Sequence, residues 1–292
     1  MTQLSKRSKQ KPSKQTIAKL LVLGEQKLYK VAKQHARQDA EALLRIVLKK
    51  DVAWLFVHSE KTLTQRQYLA YQQILKRRAK NTPLAYLRGW QDFYGRRFHV
   101  GPGVLIPRPE TEALIDLALQ YFPAAKKLQV ADLGSGSGCI ALSLACERPR
   151  WQIYATELSS SAIHYARKNA KHWQHKNLHI MQGNMLQPLR TTALDLIVAN
   201  LPYLKPGEAK DDSVAKEPRK ALVAGQDGLN AFRVLFQQVQ KRPDTPTLLL
   251  EIDPRRKKDL QKLHRQLLPQ YRAKWKKDLS GHWRVLVLES KI

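Results

Sequence analysis

The spacing of apolar residues changes once along the chain, near residue 85. From Thr16 to about residue 80, apolar side chains recur at intervals of three and four, as in Ile17, Leu20 and Leu21, and glycine is nearly absent. That period places the apolar side chains on one face of each helix. We therefore predict an N-terminal α-helical bundle domain over residues 15–84.

The stretches on either side of this domain have different patterns. Residues 1–14 contain five Lys or Arg and no acid. They cannot bury apolar area and are predicted to be a disordered basic tail. Residues 85–110 are predicted to be a linker between two domains. Within it, residues 89–100 combine aromatic side chains, β-branched side chains and glycines, which indicates a β-hairpin.

From Thr111 onward, helical and strand patterns alternate. Short apolar runs predict strands at about 128–133, 152–157, 178–182, 194–199, 247–252 and 283–289. Helical spacing predicts helices at about 111–122, 138–148, 160–174, 228–240 and 254–267. Residues 111–292 are therefore predicted to form an α/β domain, a Rossmann-like doubly wound sheet with helices on both faces.

Composition narrows the class of protein. A chain of 292 residues with 43% hydrophobic content can bury a core in each of two domains. The two cysteines, Cys139 and Cys146, are seven apart and are expected to be small side chains on one face of a helix in a reducing compartment. No metal site, membrane span or signal peptide is predicted, and we expect the protein to be cytoplasmic.

The charge is unusually positive, with 52 basic and 24 acidic residues, a net +28. The excess is densest at the start, since the first 100 residues hold 22 basic and 6 acidic residues. Contact with ribosomal RNA through this basic N-terminal region would explain the charge by phosphate attraction. A lysine-rich lineage, or solvation of helix faces, would explain it equally well. The charge alone does not name a substrate.

The segment from Asp132 to Gly138 leaves a predicted strand and enters a helix, and we call its part from Gly134 to Gly138 the glycine loop. Glycines at such a turn let the backbone approach a ligand closely. The spacing Gly134-x-Gly136-x-Gly138 differs from the G-x-G-x-x-G of dinucleotide enzymes. Glu157 ends the next predicted strand, where a carboxylate can accept both ribose hydroxyls of an adenosine. These details favour S-adenosylmethionine over a nicotinamide cofactor.

A second motif, Asn200-Leu201-Pro202-Tyr203, ends a buried strand of the same predicted sheet. Alone, it is an ordinary strand end at which proline stops the ladder and Asn caps a turn. Its position, however, is at the carboxyl edge where open sheets bind ligands. The Asn200 carboxamide oxygen and a nearby backbone carbonyl are neutral hydrogen-bond acceptors beside an aromatic ring, and they suit a planar NH2 group. The nitrogen of such a group attacks an electrophile only when its hydrogens are held by acceptors. The two motifs together predict methyl transfer to nitrogen.

A third segment, residues 104–112, places two prolines, an arginine and two acids before the first helix of the sheet domain. Acids in a first helical turn are favoured by the helix dipole, which accounts for Glu112. It does not account for the rigid Pro107-Arg108-Pro109, which we interpret as a fixed wall over the cofactor or the acceptor.

These motifs, taken in order, resemble those of one enzyme family. The matching positions are Pro83-Leu84-Ala85-Tyr86-Leu87, residues 106–112, the glycine loop, Asn200-x-Pro202-Tyr203, Glu217-Pro218 with Ala221-Leu222, Gly225, Asp227-Gly228-Leu229, and Asp278-Leu279-x-Gly281 with Arg284. They resemble the protein glutamine N5-methyltransferases, which include the release factor glutamine methyltransferases and the enzymes that act on ribosomal protein L3. The resemblance runs from about residue 83 to the C-terminus, and the family also has a preceding helical domain.

The resemblance implies a role for each site. Catalysis is assigned to Asn200, Pro202 and Tyr203. The implied S-adenosylmethionine contacts are Asp132, Gly134, Ser135, Gly136, Gly138, Glu157, Leu158, Asn184, Met185 and Asn200. The implied acceptor contacts are Arg108, Pro109, Glu110, Thr111, Asn200, Leu201, Pro202, Tyr203 and Glu217. The implied reaction is direct in-line transfer of a methyl group to a glutamine, with the Gly-Gly-Gln loop of a peptide chain release factor as the leading substrate.

The chain departs from the family pattern at two positions of the site, and also at Asp253-Pro254, which replaces a more usual glycine after Glu251. Leu201 stands where the family usually has proline, and Asn184 stands where it commonly has aspartate near the adenine. Asn-Leu-Pro-Tyr is also the form in ribosomal RNA adenine dimethyltransferases. Three other readings therefore stay open, namely methylation of ribosomal protein L3, N6-methylation of RNA adenine, and a protein of this fold that only binds the ribosome.

Overall fold

The computed structural model describes residues 15–208, 214–278 and 280–291. The predicted basic tail, residues 1–14, lies outside this range, as does Leu279 of the last family motif. The chain forms two compact units, one ending at Arg88 and the other beginning at Gly89. The β-hairpin belongs to the second unit.

The first unit is helical. Its helices are α1 (Ile17–Ala32), α2 (Ala36–Leu48), α3 (Val52–Val57), α4 (Gln65–Arg78) and α5 (Leu84–Arg88). Thr64 caps α4 through a capping box with Gln67, which satisfies two backbone donors at the helix start. The helices bury the periodic apolar residues in one cluster, of which Ile17 and Leu20 are part. The predicted N-terminal helical domain is confirmed.

The second unit begins with the predicted hairpin, β1 (Trp90–Phe93) and β2 (Arg96–His99), whose strands pair antiparallel. Its main sheet contains β3 (Gln129–Leu133), β4 (Gln152–Glu157), β5 (Leu178–Gln182), β6 (Leu196–Ala199), β7 (Thr247–Glu251), β8 (Tyr271–Lys277) and β9 (Trp283–Ser290). The strand order is β5-β4-β3-β6-β7-β9-β8. Strands β3 to β7 are mutually parallel, and β9 runs antiparallel to both of its neighbours. Our prediction omitted β8.

Helices cover both faces of this sheet. They are α6 (Glu112–Tyr121), α7 (Cys139–Glu147), α8 (Ser160–Trp173), α9 (Arg219–Leu222), α10 (Asn230–Gln240) and α11 (Lys257–Leu267). Successive residues of β6 point to opposite sides, so that Leu196 and Val198 join the cluster that includes α6 and α7, while Ile197 and Ala199 join the cluster that includes α10 and α11. Strands buried on both faces explain the continuous apolar runs, and the predicted Rossmann-like fold is confirmed.

The order of the strands fixes where a ligand binds. The chain winds outward from β3 through β4 to β5, then returns to the other side of β3 with β6. The last residues of β3 and β6, Leu133 and Ala199, are paired in register. The segments that follow them, the glycine loop and Asn200-Leu201-Pro202-Tyr203, therefore leave the sheet side by side at its topological switch point. No helix in the described part of the chain is long and apolar enough to cross a membrane.

Candidate functional site

The glycine loop has the backbone of a ligand cradle. Gly134, Gly136 and Gly138 have φ of 68°, 57° and 79°, a conformation that residues with a side chain rarely adopt. A Cβ on Gly134 or Gly136 would meet no non-neighbouring atom closer than 3.8 Å, whereas one on Gly138 would touch side chains at 3.4 Å. Gly134 and Gly136 thus keep open space beside the backbone, and at Gly138 it is the positive φ rather than the space that favours glycine.

Glu157, at the end of β4, faces this loop. Its Oε2 accepts from the Gly136 backbone N–H at 2.9 Å and its Oε1 accepts from the Ser159 N–H at 2.8 Å. Each carboxylate oxygen keeps a further lone pair, so the group is held in place while still able to accept from two hydroxyls. The two backbone bonds fix the direction of the carboxylate, and its contact with a ribose stays a prediction.

Asp132 lies inside β3, fully buried, two residues before the glycine loop. Its Oδ2 accepts from the Ala141 N–H at 3.0 Å, and burial raises its pKa to about 7. Asp132 Oδ1 and the buried hydroxyls of Ser135 and Ser137 are three of the thirteen buried side-chain atoms of the described residues that have no hydrogen-bond partner. Buried polar atoms without partners are rare in folded proteins. Those of Asp132 and Ser135 are suited to the ammonium and carboxylate of a bound amino-acid group.

Three other residues predicted to contact S-adenosylmethionine lie just after the ends of strands β4 and β5. Leu158 follows Glu157 and leaves 61% of its surface exposed, an apolar contact for a planar base. Asn184 and Met185 follow β5 and are half-buried. The Gly183 N–H donates to the Glu157 carbonyl at 3.0 Å, which joins these two strand ends.

Asn200 follows β6 and is half-buried, and its carboxamide is held from behind. Its Nδ2 donates to the Thr111 hydroxyl at 2.9 Å, and that hydroxyl donates to Glu251 Oε2 at 2.6 Å. Thr111 and Glu251 are each 2% exposed. Because the nitrogen end of the carboxamide is committed to Thr111, Oδ1 is the end left to accept hydrogens from a ligand.

Arg108 and Glu217, both predicted to bind the acceptor, contact each other. The buried Glu217 carboxylate accepts from the Arg108 guanidinium and, at 3.0 Å, from the Ile106 backbone N–H. This pair ties the proline-rich segment to the chain just before α9. The neighbouring Pro109 and Glu110 are exposed.

Tyr203 and Leu201 line the same edge of the sheet. Burial raises the pKa of the Tyr203 hydroxyl, which therefore stays neutral. Leu201 is 2% exposed. Its Cδ2 lies 3.8 Å from where a Cβ on Gly134 would be, so the two motifs are in contact distance.

Two residues of this site were not assigned a role from the sequence. Glu251 ends the apolar strand β7, and an acid at the carboxyl end of a buried strand of this sheet was the available signal. Gly228 has φ of 76°, and a Cβ there would lie 2.5 Å from the Tyr203 carbonyl oxygen. Only glycine lets this loop pass so close to the Asn200-Leu201-Pro202-Tyr203 backbone.

Protein-family models match both units. The model described as PrmC N-terminal domain matches residues 19–89, and the model described as methyltransferase small domain matches residues 111–224.

Individual relatives cover most of the chain. The release factor glutamine methyltransferase of Coxiella burnetii is 42% identical over 204 residues, which are 70% of this chain and 74% of that protein. The release factor glutamine methyltransferase of Xylella fastidiosa (strain Temecula1) is 42% identical over 202 residues, 68% of this chain and 73% of that protein. Among solved structures, the T. thermophilus 16S rRNA N2 G1207 methyltransferase in complex with AdoMet and guanosine matches with a TM-score of 0.50 at 19% identity, over 69% of this chain and 50% of that one. The last likeness concerns the fold alone.

Proposed function

This chain belongs to the release factor glutamine methyltransferase family, and on that premise we propose that it methylates the side-chain amide nitrogen, N5, of the glutamine in the Gly-Gly-Gln motif of a peptide chain release factor. The methyl donor is S-adenosylmethionine. The observation that carries the proposal is the Asn200 carboxamide, which lies at the switch point beside the glycine loop with its nitrogen bonded to Thr111.

The residues of the glycine loop and β4 fit the donor. Gly134 and Gly136 leave room for it, Glu157 accepts from its ribose, and the unpartnered oxygens of Asp132 and Ser135 take its amino-acid end. When bound there, S-adenosylmethionine supplies a methyl group on a positively charged sulfur, which is electrophilic without help from an acid or a metal.

The protein's own contribution is to orient the poorly reactive amide nitrogen of the glutamine toward the methyl carbon. Asn200 Oδ1 accepts one hydrogen of the glutamine amide, and the backbone carbonyl of Leu201 accepts the other. Pro202 restricts Leu201 to extended geometry, which fixes that carbonyl. With both hydrogens held, the nitrogen lone pair is directed at the methyl carbon, and positioning of this kind supplies much of the rate. The nitrogen gives its proton to water late in the reaction, so no basic side chain is needed.

A second activity has two observations in its favour, the charge of +28 and Leu201 in the form found in RNA adenine dimethyltransferases. An adenine amine is also a planar NH2 group that neutral acceptors would hold. We place this activity second because the helical first unit and the proline-rich segment of residues 104–112 are features of the glutamine-modifying family. Contact of the basic N-terminal region with ribosomal RNA remains compatible with a protein substrate.

One experiment tests the proposal directly. The purified protein is incubated with methyl-labelled S-adenosylmethionine and, separately, with a release factor, ribosomal protein L3 and ribosomal RNA, and the label is mapped by mass spectrometry. We expect it on the glutamine of Gly-Gly-Gln and not on a release factor in which that glutamine is alanine. Label on nucleobases alone, abolished by nuclease, would overturn the proposal, and label on L3 would move the same chemistry to another substrate.

A further inference from the structure

We propose that Thr111 and Glu251 are positioning residues that decide which end of the Asn200 carboxamide faces the acceptor, so that transfer requires Glu251 in its ionised form. The inference rests on the proposed function, because it concerns how Asn200 presents an acceptor oxygen to a substrate amide.

The direction of the two hydrogen bonds makes the choice. A carboxylate only accepts, so an ionised Glu251 takes the single hydroxyl hydrogen of Thr111 at 2.6 Å. The Thr111 oxygen then has only lone pairs to offer, and the group it can bind is an N–H, namely Asn200 Nδ2 at 2.9 Å. A carboxamide turned by 180° would place Oδ1 against those lone pairs. Ionised Glu251 therefore fixes Oδ1 on the acceptor side.

Protonation of Glu251 would reverse the direction of both hydrogen bonds, the one between Glu251 and Thr111 and the one between Thr111 and Asn200. A neutral carboxyl group can donate its hydrogen to Thr111, which frees the Thr111 hydrogen for Asn200 Oδ1. The carboxamide would then present Nδ2 to the substrate, and an NH2 group cannot accept the hydrogens of a glutamine amide. The same three residues thus have a productive and an unproductive arrangement that differ by one proton.

The surroundings of Glu251 raise the pKa of its carboxyl group into the neutral range. Two arginines and one acid act on its carboxylate, and they are Arg284, Arg108 and Glu110. Arg284 binds Asp278 at 3.0 Å, and Arg108 binds Glu217, so both cations are already partly neutralised. Burial therefore dominates and raises the pKa of Glu251 to about 7, against the Thr111 hydrogen bond and the two arginines, which lower it.

The expected pH dependence has opposite signs for activity and stability. Glu251 is ionised above its pKa, so kcat should fall as the pH falls through about 7. A group whose pKa is raised by folding contributes stability below its unfolded pKa, and that stability is lost as the pH rises through the folded value. Activity and melting temperature should therefore respond to Glu251 in opposite directions.

The effect of Glu251 on activity can be distinguished from that of other titrating groups near the site by measuring kcat. Asp132, with its pKa raised to about 7, lies behind the glycine loop and faces Glu157. It acts on donor binding, so kcat at saturating donor and saturating release factor excludes it. Tyr203, from the segment after β6, also faces Glu251, and it titrates well above this range.

The test uses three variants of the full chain with a release factor as substrate. Thr111→Ser keeps the hydroxyl, Thr111→Val removes it at nearly equal volume, and Glu251→Gln removes the titrating proton. For each we would measure kcat and KM from pH 5.5 to 8.5, the donor Kd, and the melting temperature at both ends of that range.

We expect Thr111→Val to lower kcat by about tenfold or more, as for a lost aligning contact, with donor Kd within about threefold. Thr111→Ser should restore most of this kcat. Glu251→Gln should lose the acid limb of kcat near pH 7, and its melting temperature relative to the unaltered protein should rise with pH.

Several results would overturn the inference. They are an unchanged kcat in Thr111→Val, an acid limb that persists at the same pH in Glu251→Gln, or a difference in melting temperature that does not change with pH. If Thr111→Val does not fold, the Glu251→Gln profile and melting curves decide alone. Failure of the unaltered protein to methylate the release factor would refute the proposed function instead, and the melting curves would still report on Glu251.

Discussion

Replacement of Gly228 by alanine should slow methyl transfer without weakening donor binding. Gly228 lies just before α10 and has φ of 76°. A Cβ there would lie 2.5 Å from the Tyr203 carbonyl oxygen and 3.1 Å from Arg256 Nε. The first contact is with backbone, which cannot turn away as a side chain can. The perturbation therefore acts on the segment that holds the acceptor amide.

The size of the effect follows from two terms. An alanine in the left-handed region costs about 1–2 kcal/mol of stability, since its Cβ crowds the carbonyl oxygen. In addition, Cβ atoms essentially never come within 3.0 Å of another heavy atom, so the Tyr203 carbonyl must retreat by at least 0.5 Å from the 2.5 Å that the substituted Cβ would impose. Misplacement by 1 Å can cost about 100-fold in rate, so a shift of half that size should lower kcat by about tenfold.

Gly95→Ala provides a matched control. Gly95 has φ of 66°, in the turn between β1 and β2, and a Cβ there would meet nothing within 4 Å. It carries the backbone strain without the clash. Both variants would be assayed for kcat with labelled donor and release factor, and for donor Kd by calorimetry. If Gly228→Ala loses no more activity than Gly95→Ala, the close approach to Tyr203 has no part in holding the acceptor.

Three further predictions concern single side chains. Asn200→Ala should lower kcat by about 100-fold or more while donor Kd changes by about threefold or less, and an unchanged rate would reject its role. Glu157→Gln should weaken donor binding by about 10–100-fold, since a hydrogen bond to a charged group contributes about 1.5–3 kcal/mol, and calorimetry showing an unchanged Kd would contradict the ribose contact. Burial raises the pKa of Asp132 to about 7, so its carboxyl stabilises the donor-free fold below about pH 4 and that stability is lost as the pH rises through 7. Asp132→Asn should therefore melt higher than the unaltered protein at pH 8 and by a smaller margin at pH 5, and a margin independent of pH would refute the assignment.

The fold was predictable where apolar runs are continuous. Strands β3, β6 and β7 lie between two other strands and bury nearly every side chain, so their side chains are mostly apolar at successive positions. Strands β5 and β8 form the two edges of the sheet. Strand β5 keeps a short apolar run, whereas in β8 the exposed Arg272 and Lys274 on one face interrupt any such run. Only Tyr271, Ala273 and Trp275 alternate with them as the inward set. That weaker period-two signal was overlooked in favour of continuous apolar runs.

The site was predictable where a motif is local. The glycine loop and Asn200-Leu201-Pro202-Tyr203 each have their geometry within a few residues, and the topology of a parallel sheet brings them to one edge. The bond between Thr111 and Glu251 joins residues 140 positions apart. No local pattern reports such a pairing, and the sequence offered Thr111 only as part of a proline-rich segment. The partner of Thr111, Glu251, is identified only from the packing of the start of α6 against the end of β7.

The structure also gives a physical account of one departure from the family pattern. Asp253 follows β7 where glycine is more usual, and its side chain accepts from the Arg255 backbone N–H at 2.8 Å. It thereby caps the short 3₁₀ turn of Pro254–Arg256 that leads into α11. A capping carboxylate supplies through its side chain the local order that the chain needs at this turn.

A second departure, Leu201, is explained by the different roles of its backbone and its side chain. The proposed chemistry uses only its backbone carbonyl, whose direction is constrained by the following Pro202. Its side chain is buried in the cluster that includes Ala199 and Leu229, and it approaches the position of Gly134. A proline at 201 would fill the same space with a smaller ring, whereas leucine adds apolar contact between the two motifs. We therefore interpret the substitution as a change in packing that leaves the backbone carbonyl of Leu201 in place for the proposed chemistry.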